Sequence, residues 1–423
     1  MVIPLAQAQN FVLERVAPLP VAETPIDEAL GCVVGRSVYA ETDVPSFANS
    51  SMDGYALRAS DTKGAPATLR VVGSLSAGHV FDGALEPGQA VRIMTGAPIP
   101  DGADAVTMVE LCEPRDDGAT VVITTETPPG NFIRRPGHDV AIGQLLAEAG
   151  TPLRPAHLGV LAAQGFTNVA VHRRPRLGVL STGDELFVGD GPLAPGTIRD
   201  ANRHSLLGLI RQEGWEPVDL GVVPDDRGAL LDAFGRAGES CDALITSGGV
   251  SVGDFDIVRI VLDDVSGDSM RWMQIAIRPA KPFAFGTLAN TNLPVFGLPG
   301  NPVSAMVSFE LLVRPAVRRM AGHATVFRPW VCATATADLA RSRDGRVHFV
   351  RAVVSLDHRG RYLAHPLEGQ ESHQLSAMAS ANALLILPDG EGVGQGGSVR
   401  ALLSNPADVA APSDDLPTGG AAW

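Results

Sequence analysis

The sequence lacks several features that would place it quickly in a known class of protein. Its 4 cysteines are far apart and form no CxxC pair or Cys/His cluster, so neither a zinc site nor a disulfide framework is indicated. No apolar run reaches the roughly 18 residues needed to span a membrane. The net charge of −14 argues against general binding to nucleic acid or anionic membranes. No GxGxxG motif follows the first predicted α/β strand, which disfavours a nicotinamide dehydrogenase.

The N-terminus also lacks the features of a signal peptide. The stretch MVIPLAQAQNFVLERV has no basic start and carries Glu14, and it predicts an amphipathic helix over Pro4–Val16. Together with the few cysteines, this predicts a reduced, cytoplasmic protein. Hydrophobic residues make up 45% of the chain and charged residues 19%, which is typical of globular proteins, and 423 residues suggest about three domains.

The stretch Ala243–Asp256, which reads ALITSGGVSVGDFD, has the order of a ligand-binding turn. An apolar run is followed by small polar residues and two glycines, and an amphipathic segment begins at Phe255. This order predicts a buried strand, a Gly-rich turn and a helix start. Such a turn can present backbone N–H groups to an anion, most often a phosphate. The alternative is a turn without a ligand.

Two further strands end in turns of the same kind. Leu177–Leu180 runs into STGDE, and Val295–Leu298 runs into PGNP. The carboxyl ends of parallel strands lie along one edge of an open sheet, where ligands bind. The three turns therefore predict one ligand-binding edge, with three unrelated turns as the alternative.

Strands and helices alternate between Arg176 and Gly322. Strands are predicted at 176–180, 217–222, 242–246, 273–277 and 294–298, and helices at 202–213, 226–237, 254–263 and 301–320. This pattern predicts a parallel sheet covered on both faces. Asn202 is expected to cap the first helix, and Asp225 and Asp226 the second. Either aspartate could instead lie near the ligand, because a strand ends just before them.

The remaining segments predict mixed and all-β regions. Thr24–Leu30 has the signature of a helix start, short strands dominate from Val33 to about Val122, and Gly150–Gly165 predicts a helix. Beyond Thr325, strands are predicted at 331–337, 347–356, 361–366, 384–387 and 398–402, as in a small β-barrel or sandwich. The predicted domains are 1–172 (helical or mixed at 1–45 and 135–172, β-rich at about 46–134), 173–324 and 325–403, with a disordered tail at 404–423.

Six motifs occur in a fixed order along the chain: PSFANSSMDGY from Pro45, RIMTGAP from Arg92, RRPGHDV from Arg134, STGDE from Ser181, TSGGVSVGDFD from Thr246 and LPGNPVSA from Leu298. With these motifs the sequence resembles the MoeA/gephyrin family of molybdopterin molybdenumtransferases, roughly from Pro4 to Leu402. The resemblance implies a multidomain α/β plus all-β protein. Its parts would be a central three-layer α/β/α molybdopterin-binding domain with a mostly parallel sheet, a β-rich N-terminal insertion and a small C-terminal β-barrel.

The resemblance also implies a reaction and its partners. Adenylylated molybdopterin and molybdate would yield molybdenum cofactor and AMP, with Mg²⁺ offsetting the phosphate charge. The family works as an elongated homodimer, for which the apolar faces of Pro4–Val16 and Gly150–Gly165 are candidate contacts. Other molybdenum cofactor biosynthesis proteins are further expected partners, whereas nucleic acid and membranes are not.

The motif matches and the chemistry of the side chains together assign candidate site residues. Catalytic roles fall to Asp53, Thr95, Asp139, Glu185, Asp225 and Asp256. The cofactor cradle comprises Ser181, Thr182, Gly183, Ser247, Gly248, Gly249, Gly300, Asn301 and Pro302. Molybdate is assigned to Arg278, Lys281, Ser304 and Ser372, and Mg²⁺ to Asp184, Glu185, Asp225, Asp254 and Asp256.

Several of these assignments have a plainer alternative. Asn49–Tyr55 could be an ordinary surface loop, and Arg134 with Arg135 a solvated face rather than an anion contact. Arg278 and Lys281, held extended by neighbouring prolines, could be charges that protect an edge strand. Relatives often carry lysine at the position of Arg278. Arginine keeps the charge but changes the contact geometry.

Two other functions are alternatives to molybdenum insertion. The preceding step is adenylylation of molybdopterin, but stand-alone adenylyltransferases resemble only the α/β region. A gephyrin-like scaffold would need a peptide groove and a fused partner domain, for which 423 residues leave no room. The segment Glu371–Met378 is expected to face the active site of the same or the neighbouring subunit.

Overall fold

A computed structural model of the chain describes residues 2–249 and 257–409. The predicted metal ligands Asp254 and Asp256 lie outside the described residues, as do residues 410–423 of the predicted tail.

Short strands and two helices make up the N-terminal region, residues 2–172. Its strands are β1 (Val2–Ile3), β2 (Val21–Pro25), β3 (Val33–Val34), β4 (Val38–Tyr39), β5 (Asn49–Ser50), β6 (Gly54–Leu57), β7 (Ala67–Leu75), β8 (Gln89–Ile93), β9 (Ala105–Met108), β10 (Cys112–Arg115), β11 (Thr120–Ile123), β12 (Ile133–Arg134), β13 (Leu145–Ala147) and β14 (Asn168–His172). The helices are α1 (Leu5–Leu13) and α2 (Pro155–Ala163), and single 3₁₀ turns cover Ile26–Glu28, Ala59–Thr62, Val109–Leu111 and Asp116–Gly118.

The segment predicted to start a helix at Thr24 is instead the end of a strand. β2 pairs antiparallel with β14, and Val169 lies opposite Thr24 in this ladder. Only Ile26–Glu28 forms a helical turn, a 3₁₀ turn. Local capping signals were therefore overridden by pairing with a strand about 145 residues later in the sequence.

The predicted β-rich insertion is a six-stranded sheet in the order β10-β11-β7-β8-β6-β9. Alternating residues of β6 enter different cores, with Tyr55 and Leu57 on one face and Ala56 on the other. The two-residue period of a strand thus fills a separate core on each face. The residues of both cores all lie between Tyr55 and Ile133, so the insertion packs around its own two cores.

The central region carries the sheet that positions the candidate site. Its strands are β15 (Arg176–Thr182), β16 (Leu186–Phe187), β17 (Ile198–Arg199), β18 (Glu216–Val223), β19 (Ala243–Ser247), β20 (Arg271–Ile275), β21 (Ile277–Arg278), β22 (Pro282–Thr287) and β23 (Pro294–Leu298). Its helices are α3 (Asn202–Gln212), α4 (Arg227–Ser240), α5 (Ile257–Val265), α6 (Pro302–Ser308) and α7 (Arg314–Met320), with a π-helical turn at Phe309–Val313 between the last two.

Helices cover both faces of this sheet, as the alternating pattern predicted. In β19, Ala243 and Ile245 pack with α1, α3 and α6, while Leu244 packs with α4 and α5. The strand order is β1-β20-β22-β23-β19-β15-β18, and neighbouring pairs are parallel except on either side of β22. The sheet is therefore mostly parallel, as predicted, and β22 is its reversed strand. The strand Pro282–Thr287 itself was not predicted.

The C-terminal region closes into a five-stranded barrel. Its strands are β24 (Trp330–Ala335), β25 (Leu339–Ala340), β26 (Val347–Leu356), β27 (Tyr362–Pro366), β28 (Ala383–Leu387), β29 (Gly392–Val393) and β30 (Ser398–Leu403), with helix α8 (Leu375–Ala379) and a 3₁₀ turn at Pro406–Asp408. The pairings β26-β27-β24-β30-β28 return to β26, so the ring has no free edge.

Residues 404–409, predicted to belong to a disordered tail, make hydrogen bonds to the barrel. The backbone N–H groups of Ser404 and Asn405 both donate to the carbonyl of Asn382, and Asn382 Nδ2 donates to the carbonyl of Asp408. Residues 404–409 are therefore attached to the barrel. In the part of the chain that the structure describes, no helix is long and apolar enough to cross a membrane.

Candidate functional site

The structure brings the three predicted turns side by side. Ser181, at the end of β15, lies opposite Ser247 of β19, and Ser247 lies opposite Leu298 of β23. The last ladder contact runs from Gly248 N to Leu298 O over 3.1 Å. All three strands run in one direction, so the turns share the carboxyl edge of the sheet, as the sequence predicted.

The glycine pair after β19 has a conformation that other residues rarely adopt. The φ angles are +98° at Gly248 and +73° at Gly249. A Cβ atom on Gly249 would collide with the side chain of Val258 in α5, whereas nothing lies within 4 Å of a Cβ on Gly300. Gly249 is thus required for close packing, and Gly300 faces open space where a ligand can approach.

Asn202 links two of these turns, a role that the sequence interpretation missed. It was expected to cap α3, but its side chain makes no capping bond. Nδ2 donates instead to Ser247 Oγ and to the Gly300 carbonyl, each over 2.7 Å. The cap bond comes from Asp200, whose Oδ1 accepts from Arg203 N at 3.2 Å and from the Ser181 hydroxyl at 3.0 Å. Because both partners of Asn202 are distant in sequence, no local pattern could have indicated it.

The four residues assigned to molybdate line one cavity of about 220 Å³. Arg278 is exposed at the end of β21, and Lys281 is exposed directly before β22. Ser304 is in α6, and Ser372 is in the loop before α8. Asn301 Nδ2 donates to Ser372 Oγ over 3.0 Å, and Val303 N donates to the Ser372 carbonyl over 3.1 Å. The central region and the barrel of the same chain therefore build this cavity together.

The cavity is more basic than the sequence indicated. Arg346 lines it as well, although Arg278 and Lys281 had seemed to be the only closely spaced cations at this edge. Arg346 also pairs with Asp344 at 2.7 Å, and Glu371 lies 3.9 Å from Arg278. Arg346 lies directly before β26, and the local sequence does not indicate which way its side chain points.

A second unpredicted cation, Arg351, lies beneath the wall of this cavity. Its side chain is 0% exposed, and Nη2 donates to the carbonyls of Gly369 and Glu371 at 2.5 and 3.2 Å. Nε and Nη1 are buried without a hydrogen-bond partner. Burial lowers the pKa of Arg351. A buried, incompletely satisfied guanidinium is costly unless an anion compensates it, and the wall above it, 370–372, lines the cavity.

Two of the predicted metal ligands meet at the sheet edge. Asp225 N donates to Asp184 Oδ1 over 3.2 Å, so the two acids lie in adjacent turns. Asp226 is the helix cap, since its Oδ1 accepts from Ala229 N at 2.9 Å. Glu185 folds back over its own turn, with its carboxylate where a Cβ of Gly183 would lie. Among residues 2–249 and 257–409, no three His, Cys, Asp or Glu side chains form a metal cluster.

The N-terminal candidates form a separate group in the insertion and its exit segment. Asp53 Oδ1 accepts from both the backbone N–H and the hydroxyl of Thr95, each over 2.7 Å. These two hydrogen bonds lower the pKa of Asp53. Arg134 pairs with Asn49 across the β5–β12 ladder. Asp139 is exposed at the end of the same motif, and its backbone N–H donates to the Val44 carbonyl over 3.0 Å.

These two groups of candidates are not joined within one chain. Over the ranges that the structure describes, no hydrogen bond or ion pair connects residues 46–134 with the central region. Asp53 and Thr95 are both exposed on the surface of the insertion.

Comparisons with known proteins match this architecture along the chain. Residues 3–165 match the family model described as MoeA N-terminal region (domain I and II), residues 178–319 a probable molybdopterin binding domain, and residues 333–403 the MoeA C-terminal region (domain IV). The molybdopterin molybdenumtransferase of Haemophilus influenzae is 39% identical over 92% of this chain and 95% of its own length. The chain belongs to the MoeA family of molybdopterin molybdenumtransferases.

Other members of the MoeA family are similar over the same span. Molybdopterin molybdenumtransferase 2 of Mycobacterium tuberculosis is 39% identical over 90% of this chain and 94% of its own length. The crystal structure of the molybdopterin biosynthesis MoeA protein of Pyrococcus horikoshii superposes with a TM-score of 0.80 at 29% identity, covering 95% of this chain and 100% of that one. The membership and multidomain fold implied by the six motifs are thereby confirmed.

Proposed function

We propose that the protein transfers molybdenum from molybdate to adenylylated molybdopterin and releases AMP. The observation that carries this proposal is the cavity next to the three turns. Arg278, Lys281, Ser304 and Ser372 line it together with Arg346, although they come from both the central region and the barrel. A dianion such as molybdate needs clustered positive charge and hydroxyl donors, because the whole protein carries −14.

The turns next to this cavity supply a cradle for the phosphates of the pterin substrate. Ser181, Thr182 and Gly183 end one strand, Ser247, Gly248 and Gly249 the next, and Gly300, Asn301 and Pro302 the third. Asn301 lines the molybdate cavity and also belongs to the cradle. The two substrates would thus be held next to each other, and their positioning supplies much of the rate acceleration. No covalent nucleophile is required.

Buried Arg351 strengthens the preference of the cavity for an anion. No carboxylate among the described residues forms an ion pair with it, although the charge of Glu371 acts on it. Its nitrogens Nε and Nη1 are buried without a hydrogen-bond partner, while Nη2 donates to the carbonyl of Glu371, next to Ser372. We infer that its charge acts across this wall, because charges interact more strongly through protein than through water. Arg351 would therefore favour molybdate binding without being exposed to solvent.

The acids at the sheet edge fit a hard divalent cation such as Mg²⁺. Asp184 and Asp225 are the described residues that would hold it, since they lie in adjacent turns. Asp254 and Asp256 remain proposed further ligands, and Glu185 a proposed catalytic group. When bound, the cation would offset negative charge on the phosphates. Asp225 and Asp184 would set its position relative to the cradle.

We further propose that the complete active site needs two copies of the chain. Among the described residues, Asp53 and Thr95 make no hydrogen bond to the central turns of their own chain, so we infer that the insertion presents them to the turns of a partner. Of the two helix faces predicted to form the dimer contact, the face on α1 is buried within the chain, where Ala8 and Val12 join the central core. The exposed neighbours Tyr39 and Leu145, paired across the β4–β13 ladder, offer an apolar contact face.

The experiment that tests the proposed function follows AMP release from adenylylated molybdopterin. We expect release by the purified protein to require both molybdate and Mg²⁺, with one molybdenum atom bound per pterin converted. AMP release that does not depend on molybdate would contradict the proposal. Formation of adenylylated molybdopterin from ATP, in place of its consumption, would also contradict it and would indicate the adenylylation step.

A further inference from the structure

Asn202 lies at the start of α3, and it hydrogen-bonds with two turns of the phosphate cradle. Nδ2 donates to Ser247 Oγ and to the Gly300 carbonyl over 2.7 Å each. A backbone carbonyl can only accept a hydrogen bond. The Gly300 contact therefore fixes the orientation of the amide, with the nitrogen toward the turns.

This orientation determines how Ser247 can bind a ligand. The hydroxyl oxygen of Ser247 accepts from Asn202, so its own proton is directed elsewhere and is available to donate. Phosphate oxygens at neutral pH act mainly as acceptors. Asn202 thus makes Ser247 a donor of the kind that a phosphate requires.

The same side chain holds the spacing of the two turns. The β19–β23 ladder ends at Ser247 and Leu298, two residues before Gly300. Within the described part of the chain, the Gly300 carbonyl has Asn202 as its hydrogen-bond partner. The neighbouring Asp200–Arg203 ion pair, with side chains 3% and 9% exposed, anchors the start of α3 from below.

Asn202 also has a side-chain atom without a hydrogen-bond partner. Asn202 Oδ1 is buried and has no hydrogen-bond partner. A buried acceptor without a partner destabilises the folded chain, and stability alone would not favour an amide here. Because Asn202 Nδ2 donates to two acceptors at this position, Oδ1 of the same amide points away from them and has no partner.

We propose that Asn202 is a positioning residue for phosphate binding. It holds Ser247 as a hydrogen-bond donor and fixes the gap between the turns at Gly248 and Gly300. The identity of the ligand as adenylylated molybdopterin rests on the proposed function. The requirement for a phosphate group comes from the hydrogen-bond polarity at Ser247.

The test compares Asn202→Ala with Asn202→Asp in the full-length protein. Alanine removes both hydrogen bonds, and we expect roughly tenfold weaker binding. Aspartate keeps the shape, but its oxygens would repel the Gly300 carbonyl and accept the Ser247 proton. Binding should therefore be weaker still, whereas a merely structural role would make the isosteric aspartate the milder change. Asn168→Ala and Asn168→Asp are matched controls, because exposed Asn168 bonds only to Thr167 Oγ1 among described side chains.

Two probes separate this inference from the proposed function. Titrations use inorganic pyrophosphate and adenylylated molybdopterin, and thermal unfolding confirms that each variant is folded. The inference is supported if pyrophosphate binding is weakened in Asn202→Ala and weakened further in Asn202→Asp. This holds even if the wild-type protein does not bind adenylylated molybdopterin, a result that would overturn only the proposed function. Wild-type affinity in either variant, a milder effect of aspartate, or no pyrophosphate binding by the wild type would overturn the inference. If Asn202→Asp fails to fold, unchanged binding by Asn202→Ala is sufficient to overturn it.

Discussion

At the scale of single residues, two glycines of the cradle have different requirements. Gly249 combines a φ of +73° with contact to Val258, so any side chain there would disturb both the turn and α5. Gly249→Val would therefore disturb the fold as well as the turn. Gly300 has no close neighbour, and a side chain at this position would project into the space that a ligand needs.

We predict that Gly300→Val weakens binding of adenylylated molybdopterin at least about tenfold, because the valine occupies the approach to the backbone. The melting temperature should stay close to that of the wild-type protein. Gly249→Val is the matched comparison and should lower the melting temperature. Calorimetric titration and thermal unfolding measure both effects, and wild-type affinity in Gly300→Val would remove this turn from the site.

Residue-scale prediction from sequence succeeded where the residue type marks the local structure. Ser247 and Gly248 lie where β19 ends, as predicted, because glycine and small polar residues mark the end of a strand. Asn202 and Arg351 were missed because their contacts depend on residues that are distant in sequence or on burial. An arginine in an alternating strand usually faces solvent. Arg351 lies on the face of β26 that points away from the barrel core, and it is buried because residues 369–371 cover it.

At the scale of elements, neighbouring aspartates before α4 have different roles. Asp226 caps the helix, while Asp225 contacts Asp184 in the adjacent turn. We predict that Asp226→Ala lowers the free energy of unfolding by about 1 kcal/mol with little change in the Mg²⁺ requirement. Asp225→Asn should raise the Mg²⁺ requirement with little change in the free energy of unfolding. Denaturant unfolding and Mg²⁺ titrations of AMP release measure the two effects, and equal Mg²⁺ dependence in both variants would show that Asp225 holds no metal.

The connection after α7 contains a histidine that stays neutral in the folded chain. Burial lowers the pKa of His323 to about 4, and the charge of Arg318 acts in the same direction. The unfolded chain takes up this proton near pH 6.5, so the free energy of unfolding falls as the pH drops from about 6.5 to about 4. Solvent screening at this partly exposed position limits the loss to about 1 kcal/mol.

We predict that His323→Gln flattens the dependence of the melting temperature on pH in that window. The substitution removes the proton uptake but keeps a side chain that can accept from Arg318. His79→Gln, at an exposed position of the insertion, is the control and should leave the profile unchanged. Identical slopes in the wild type and His323→Gln would contradict the assignment of this pH dependence to His323.

At the scale of the whole molecule, the regions were predictable, but their contacts were not. Strand and helix patterns indicated the β-rich insertion, the α/β sheet and the C-terminal strands, because each follows a local period. The reversed strand β22 and the burial of α1 against the central core arise from long-range packing. The same limit applies to the proposed dimer face, where Tyr39 is 55% and Leu145 46% exposed.

We predict that the protein forms a stable dimer at micromolar concentration and that Tyr39→Glu weakens it, because a charge would enter the apolar face. The test is run at a molybdate concentration that saturates the wild type but leaves Lys281→Gln largely inactive. Mixing Asp53→Asn with Lys281→Gln should then restore activity, since a mixed dimer contains one intact combination of insertion and central region. Random exchange should recover about a quarter of wild-type activity above the residual activity of the two parents. Sedimentation and AMP release measure these effects. An active monomer, or no recovery despite subunit exchange, would contradict a shared site.

The dependence of AMP release on molybdate concentration in Lys281→Gln tests the central claim most directly. Lys281 lines the cavity beside Arg278 and Arg346, and its charge is expected to attract molybdate much more than the pterin substrate. We predict that the molybdate concentration for half-maximal release rises about tenfold, whereas affinity for adenylylated molybdopterin changes little. Arg278→Lys, which keeps the charge, should have a mild effect. Normal molybdate dependence combined with poor binding of adenylylated molybdopterin would contradict the account, because it would assign these cations to the pterin phosphate.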